Sequence, residues 1–183
     1  QTLRFERALG LAQKGLALAR EPTLLHSLSA LLGELLLQLG RTHDALAAFR
    51  ESLDFAVDPL SRGQAWYGIA SALRVMDRHE EALDCLERAE AQWHERADAR
   101  MRARLYTLRG NLLFPLGRIE ACLKAHEEAY RYALEARSAL EIACALGGLC
   151  DAYYQRGQMI TARRHFAQCV QEARGENLVG VLL

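Results

Sequence analysis

The sequence predicts an all-α protein built from antiparallel helix pairs that stack side by side, and three observations support this. Ala, Leu, Arg and Glu, which are strong helix formers, dominate the 183 residues, whereas the strand formers Val and Ile are scarce. Blocks similar to DALAAFRESLDFA (44–56) recur along the chain at intervals of 37 to 40 residues. A residue suited to a tight turn lies a fixed distance ahead of the later blocks.

Each recurring block marks the second helix of a pair. Its small residue recurs at intervals of 37, 37, 40 and 40 residues, at Ala8, Ala45, Ala82, Cys122 and Ala162. A larger side chain follows four residues later on the same helix face in the last four blocks, as Phe49, Leu86, His126 and Phe166. We expect these larger side chains to pack into the seam between the paired helices, with His126 as a packed ring rather than a base.

Each pair also contains a turn and a first helix. The turn residue lies five positions before the small residue of the second helix, at Gly40, Asp77, Gly117 and Gly157, and these residue types tolerate the left-handed backbone that ends a helix. Seven positions before the turn comes another small residue, at Gly33, Ala70, Gly110 and Cys150. Small side chains at both positions let the helices approach closely, and stacked pairs share one core. Pro115 should end or kink its helix early.

The repeats predict one continuous array over residues 1–183. It divides into the second helix of an incomplete repeat (1–22), four repeats (23–59, 60–97, 98–137 and 138–175) and the start of a further first helix (176–183). An array normally ends in polar capping helices, so apolar ends indicate a fragment or self-association through those ends.

The small-residue, Gly, Ala and Phe positions at these offsets resemble the tetratricopeptide repeat over almost the whole chain. Trp66, Gly110 and Ala45 each match a family position, although in different units, and the units exceed the usual length of about 34 residues. The stretches 109–129 and 147–169 look like the long-unit repeat regions of bacterial signalling ATPases and of cyclase-linked or ATP-dependent transcriptional regulators. The resemblance implies a right-handed superhelix, an α-solenoid, whose first helices line a concave groove for a protein or peptide segment.

The resemblance also places candidate groove residues, when the small residues of the four first helices are aligned. They are Glu34, Gln64, Tyr67, Ser71, Arg74, Arg104, Thr107, Asn111, Phe114, Asp151 and Tyr154. Tyr and Arg are frequent anchors at interfaces. The family's clamp for a C-terminal carboxylate needs Lys and Asn, and the corresponding places hold Ala30/Glu34 and Tyr67/Ser71, so that activity is not expected here.

The sequence contains no constellation for catalysis, cofactor binding or metal binding. Three stretches begin like the zinc-protease helix, at His79, His94 and His126, but none has the second His four residues on. No phosphate-binding loop, dinucleotide fingerprint or nucleophile elbow occurs. We therefore expect a non-catalytic protein without a cofactor.

Charge and cysteine content narrow the function further. The 23 basic and 23 acidic residues balance, which argues against direct nucleic-acid binding, and no apolar run is long enough to span a membrane. Five cysteines without a CxxC motif indicate a reducing, cytoplasmic setting in which they serve as small packing residues.

The arginine-rich stretch 95–110 is interpreted as an exposed loop and helix start, with an anion or acidic-partner patch as the alternative. Asp84–Arg88, Glu120–Lys124 and Glu127–Arg131 are expected to pair along helix faces.

Two functions remain open. The first is a protein- or peptide-binding scaffold within a larger bacterial signalling or regulatory protein. The alternative is an effector-sensing repeat domain of an ATP-dependent or nucleotidyl cyclase-linked regulator, which binds a small molecule.

Overall fold

The computed structural model of the protein describes residues 2–175. Within that range it contains helices and no strand, which confirms the all-α prediction. The helices are α1 (Thr2–Leu18), α2 (Pro22–Gln38), α3 (Thr42–Asp54), α4 (Pro59–Val75), α5 (His79–Trp93), α6 (Ala99–Leu113), α7 (Ile119–Glu135), α8 (Ala139–Gln155) and α9 (Met159–Gly175). A 3-10 turn at His94–Arg96 follows α5.

The helices belong to two compact units, which meet in sequence between Arg96 and Ala97. In unit 1, α2 packs on α3 and α4 packs on α5, while α1 contacts α2 and α3 contacts α4. In unit 2, α6 packs on α7, α8 packs on α9, and α7 contacts α8. The first helices of neighbouring pairs also touch, α2 against α4 and α6 against α8. Each unit is therefore made of the consecutive helix pairs that the repeats predict.

The turns within the pairs have the left-handed backbone that the sequence predicts. The φ angle is 72° at Gly40, 57° at Asp77, 71° at Gly117 and 76° at Gly157. Arg137, two residues after the end of α7, adopts the same left-handed conformation with φ of 49°, which an arginine in the sequence does not predict. Pro115 has the expected effect, because α6 ends at Leu113, four residues before its turn glycine, whereas α4 ends at Val75, two residues before Asp77.

Two first helices begin at an aspartate that caps the free backbone N–H groups of the first turn. Asp58 Oδ1 accepts a hydrogen bond from the backbone N–H of Ser61 at 3.0 Å, and Asp98 Oδ1 accepts one from Met101 at 2.8 Å. Such a cap stabilises a helix by about 1 kcal/mol. The bonds from Ser61 hold the pKa of Asp58 below its usual value.

The surface ion pairs differ from those expected along the helix faces. Arg131 pairs with Glu128 at 2.6 Å instead of with Glu127, because a spacing of three residues also places two side chains on one face. Glu120 lies 3.4 Å from Arg156 rather than pairing with Lys124. These exposed pairs contribute little stability.

The small residues of the last four second helices lie at helix contacts, as the repeats predict, whereas Ala8 on α1 is only partly buried. Ala45, Ala82 and Cys122 are completely buried, and Ala162 is 3% exposed. Four residues further on, the larger side chains Phe49, Leu86 and His126 are also buried. Phe166 is different: it is 58% exposed, so its expected place in a seam is wrong. The further first helix predicted at 176–183 lies outside the described residues.

Phe49 shows how the seam is built in unit 1. Its ring lies against Gly33 of its own pair and against Gly68 of the next pair, so close that a Cβ atom at either glycine would come within 3.0 Å of the ring. His126 occupies the same place in unit 2, between Gly110 and Gly148, with an equally close approach. The large ring of a second helix is thus accommodated by glycines on two first helices.

Candidate binding surfaces

Five of the predicted groove residues lie in unit 1, on α2 and α4, and form what we call the unit 1 groove surface. Glu34, Gln64 and Arg74 are exposed, whereas Tyr67 and Ser71 are partly buried. The Tyr67 ring stacks on Trp93 with 6.0 Å between ring centroids, and the Ser71 hydroxyl donates to the carbonyl of Tyr67 at 2.9 Å. The groups most open to a ligand are therefore one carboxylate, one amide and one guanidinium.

The other six predicted residues lie in unit 2 and form the unit 2 groove surface: Arg104, Thr107, Asn111, Phe114, Asp151 and Tyr154. Arg104, Thr107 and Asn111 are on α6, and Asp151 and Tyr154 are on α8, which contacts α6. Phe114 lies in the turn just beyond α6 because that helix ends early. Partial burial raises the pKa of Asp151. None of these side chains is fully buried, and their contact with a ligand stays a prediction.

The arginine-rich start of α6 has structural roles that the sequence pattern does not indicate. Arg100 Nε lies 3.3 Å from Glu141 Oε1 on α8, and Arg100 Nη2 donates to Ser138 Oγ at 3.1 Å. The Glu141 side chain is 8% exposed, so this arginine compensates a carboxylate that is largely removed from water. The stretch is therefore more than an exposed helix start.

Further arginines of unit 2 surround two stacked tyrosines. Tyr106 and Tyr132 stack with 5.7 Å between their centroids. The guanidinium of Arg131 lies 3.9 Å from the centroid of the Tyr132 ring, and those of Arg102 and Arg109 lie 5.6 Å and 5.2 Å from Tyr132 and Tyr106. Such cation–π contacts hold guanidinium groups against the surface that joins α6 to α7.

All five cysteines are free, and their surroundings are those of packing residues. Burial raises the pKa of the Cys122 thiol to about 11, so it stays protonated and unreactive at neutral pH. Cys169 donates from Sγ to the carbonyl of Ala143 at 3.2 Å. Among residues 2–175, no group of three or more His, Cys, Asp and Glu side chains is arranged to hold a metal ion.

A cleft of about 320 Å³ lies in unit 1 between α3, α4 and α5, and we call it the α3–α5 cleft. Leu73 and Cys85 line its apolar part, and Trp66 forms an aromatic wall with the Arg88 guanidinium 4.8 Å from its ring. Arg50 on α3 also lines it, as do Glu81 and Asp84 on α5. The sequence pattern identifies Trp66 only as a repeat position, and no motif indicates a cleft here.

The helix pairs and their glycine seams define a tetratricopeptide-like class of fold. Residues 63–91, which cover most of α4 and α5, match the family model described as "Tetratricopeptide repeat". No curated protein matches the chain. No helix among the described residues has both the length and the apolar character needed to cross a membrane.

Solved structures share the fold at low sequence identity. A Rap protein complexed with Competence and Sporulation Factor is 14% identical with a TM-score of 0.81, over 94% of this chain and 49% of its own. BtubC from P. vanneervenii is 17% identical with a TM-score of 0.71, over 94% of this chain and 72% of its own. MamA from Desulfovibrio magneticus RS-1 is 22% identical with a TM-score of 0.65, over 93% of this chain and 86% of its own. This chain thus spans about half the length of the Rap protein.

Proposed function

We propose that the chain is a non-catalytic scaffold module of a bacterial signalling or regulatory protein, in which the groove surface of each unit binds a protein or peptide segment. The observation that carries the proposal is the placement of the predicted groove residues. All eleven lie on first helices or directly after one, and all keep some exposed surface. A similar fold in complex with Competence and Sporulation Factor adds support. Five free cysteines support a reducing, cytoplasmic setting.

The unit 1 and unit 2 groove surfaces suit a peptide better than a single metal ion or cofactor. Arg74 and Asn111 offer donors for backbone carbonyls or carboxylates, and Glu34 offers an acceptor. Tyr154 is 62% exposed and presents a flat apolar surface of the kind that anchors interfaces. Spaced polar groups beside an exposed aromatic ring suit the binding of an extended chain segment.

A thermal-shift screen of peptide pools and of small metabolites tests the proposal. At a concentration about a hundredfold above Kd, a bound peptide should stabilise the protein by about 2.7 kcal/mol and raise Tm by roughly 5 to 10 °C. The double variant Arg74→Ala/Asn111→Ala should lose this shift, because it removes one donor from each groove surface.

Arg163→Ala is the matched control, since Arg163 is an exposed arginine on the second helix α9 and should not affect binding. A peptide whose shift persists unchanged in the double variant would contradict the groove assignment. A shift that metabolites alone produce and that the double variant loses would favour the alternative function, an effector-sensing domain of an ATP-dependent or cyclase-linked regulator. The similarity of stretches 109–129 and 147–169 to such repeat regions is what favours that alternative.

We also propose that the chain self-associates through α1, which presents an apolar row to solvent. Leu3, Leu11 and Leu18 are 77%, 70% and 80% exposed. Their spacing places them close to one face of the helix. Leu11→Glu should lower the self-association of the protein, as measured by light scattering across a concentration series. A wild-type protein that stays monomeric at high concentration would contradict this proposal.

A further inference from the structure

Two positions of the repeat that line the α3–α5 cleft hold smaller side chains in the pair α4–α5 than in the pair α8–α9. Leu73 and Cys85 line the cleft, and the equivalent positions of the pair α8–α9 hold Tyr153 and His165. Those two rings stack with 5.3 Å between centroids and an interplanar angle of 7°. At these two positions the pair α4–α5 therefore has less bulk than the pair α8–α9, and the cleft lies beside them.

The four charged groups that line the cleft are not equivalent. Glu81 is already held by Arg78, which donates from Nε at 2.7 Å and from Nη2 at 2.5 Å. Arg88 lies over the face of Trp66. This leaves Arg50 on α3 and Asp84 on α5.

Arg50 and Asp84 face the cleft from different walls, and both side chains are exposed. In the part of the chain that the structure describes, neither is within ion-pair distance of an opposite charge, and the expected Asp84–Arg88 pair is not formed. The cleft thus has a cationic group from α3 and an anionic group from α5 beside an apolar and aromatic interior.

We propose that the α3–α5 cleft is a binding site for a small zwitterion, an amino acid or dipeptide with an apolar side chain. The carboxylate of the ligand would accept hydrogen bonds from Arg50, and its ammonium group would donate to Asp84. The apolar side chain packs between Trp66 and the Leu73–Cys85 floor. A volume of about 320 Å³ lies at the small end of the range for ligand sites, which favours a ligand of this size.

Tryptophan fluorescence tests the proposal directly. The chain has two tryptophans, so Trp93→Phe leaves Trp66 in the cleft as the reporter. Titration with the dipeptide Gly-Leu should give a saturable change in emission. N-acetyl-Gly-Leu and Gly-Leu-amide each lack one ligand charge, and each should bind about tenfold more weakly.

Variants of the cleft assign the two charges. In Arg50→Gln, Gly-Leu and its amide should bind with equal affinity, because the guanidinium that binds the ligand carboxylate has been removed. In Asp84→Asn, Gly-Leu and its N-acetyl form should bind equally. Glu87→Gln changes an exposed carboxylate on α5 outside the cleft and should keep the full discrimination.

Filling the cleft provides an independent test, with circular dichroism to confirm that the variant is folded. Leu73→Tyr/Cys85→His introduces the residue pair of α8–α9 and should abolish the fluorescence change while both charges remain. Arg74→Ala/Asn111→Ala should leave it intact, which separates this site from the groove surfaces. The absence of a saturable change at millimolar Gly-Leu, or its persistence in the filled and folded variant, would overturn the proposal.

Discussion

Replacing Gly148 with Ala should destabilise unit 2 by about 1 to 3 kcal/mol, whereas the same substitution at the adjacent Gly147 should stabilise it by up to about 1 kcal/mol. A Cβ atom at Gly148 would come within 3.0 Å of the buried His126 ring, and the helix or the ring must shift to admit it. A Cβ atom at Gly147 meets nothing within 4 Å, so only the higher helix propensity of Ala remains.

Urea unfolding followed by circular dichroism measures this difference. Tryptophan fluorescence is unsuitable because both tryptophans, Trp66 and Trp93, lie in unit 1. The contact with the ring can be isolated by a double-mutant cycle, since in a His126→Ala background Gly148→Ala should lose most of its cost. Equal effects of the two Ala substitutions would refute the account of the seam.

The seam also shows what the sequence could predict. The small residues at Gly33 and Gly110 were visible because they repeat at fixed offsets within their own pairs. Gly68 and Gly148 were missed, although each lies two residues before the aligned small residue of the next first helix. Their role depends on contact with a ring from the second helix of the preceding pair. The sequence around a helical Gly does not indicate which side chain packs against it.

The candidate surfaces were predictable to different degrees. The tetratricopeptide resemblance, applied to the aligned small residues, was enough to place residues such as Glu34 and Asn111 on exposed faces of first helices. It could not indicate that Tyr67 stacks on Trp93, since that contact depends on a residue of another helix. The α3–α5 cleft was also beyond the sequence, because it depends on the sizes of side chains from three helices.

His126→Phe should raise the free energy of unfolding by about 1 to 3 kcal/mol at neutral pH and should remove a large part of the acid sensitivity of unit 2. The His126 side chain is 1% exposed, and within residues 2–175 its Nδ1 has no hydrogen-bond partner. The equivalent position in unit 1 already holds Phe49, also between two glycines, so the larger ring has a precedent in the same fold.

The pH dependence follows from the buried ring. Burial lowers the pKa of His126 from 6.5 to about 4. Between these pH values the unfolded chain therefore binds a proton at this histidine, and the folded chain does not. Stability is therefore lost as the pH falls from 6.5 to about 4, and the loss from this group reaches about 3 kcal/mol. Urea unfolding should show that the free energy of unfolding of His126→Phe minus that of the wild type increases by that amount from pH 7.5 through pH 5.5 to pH 4.

The comparison with the wild type cancels the contributions of other groups whose pKa in the folded protein differs from its usual value, such as Asp58 and Glu81. His43→Gln changes an exposed histidine on α3 and should leave the difference between pH 7.5 and pH 4 as it is in the wild type. Parallel pH profiles for wild type and His126→Phe would mean that the folded protein protonates His126 as easily as the unfolded chain does. In that case the ring would not be shielded from water between Gly110 and Gly148, and the close approach of the helices in unit 2 would need another explanation.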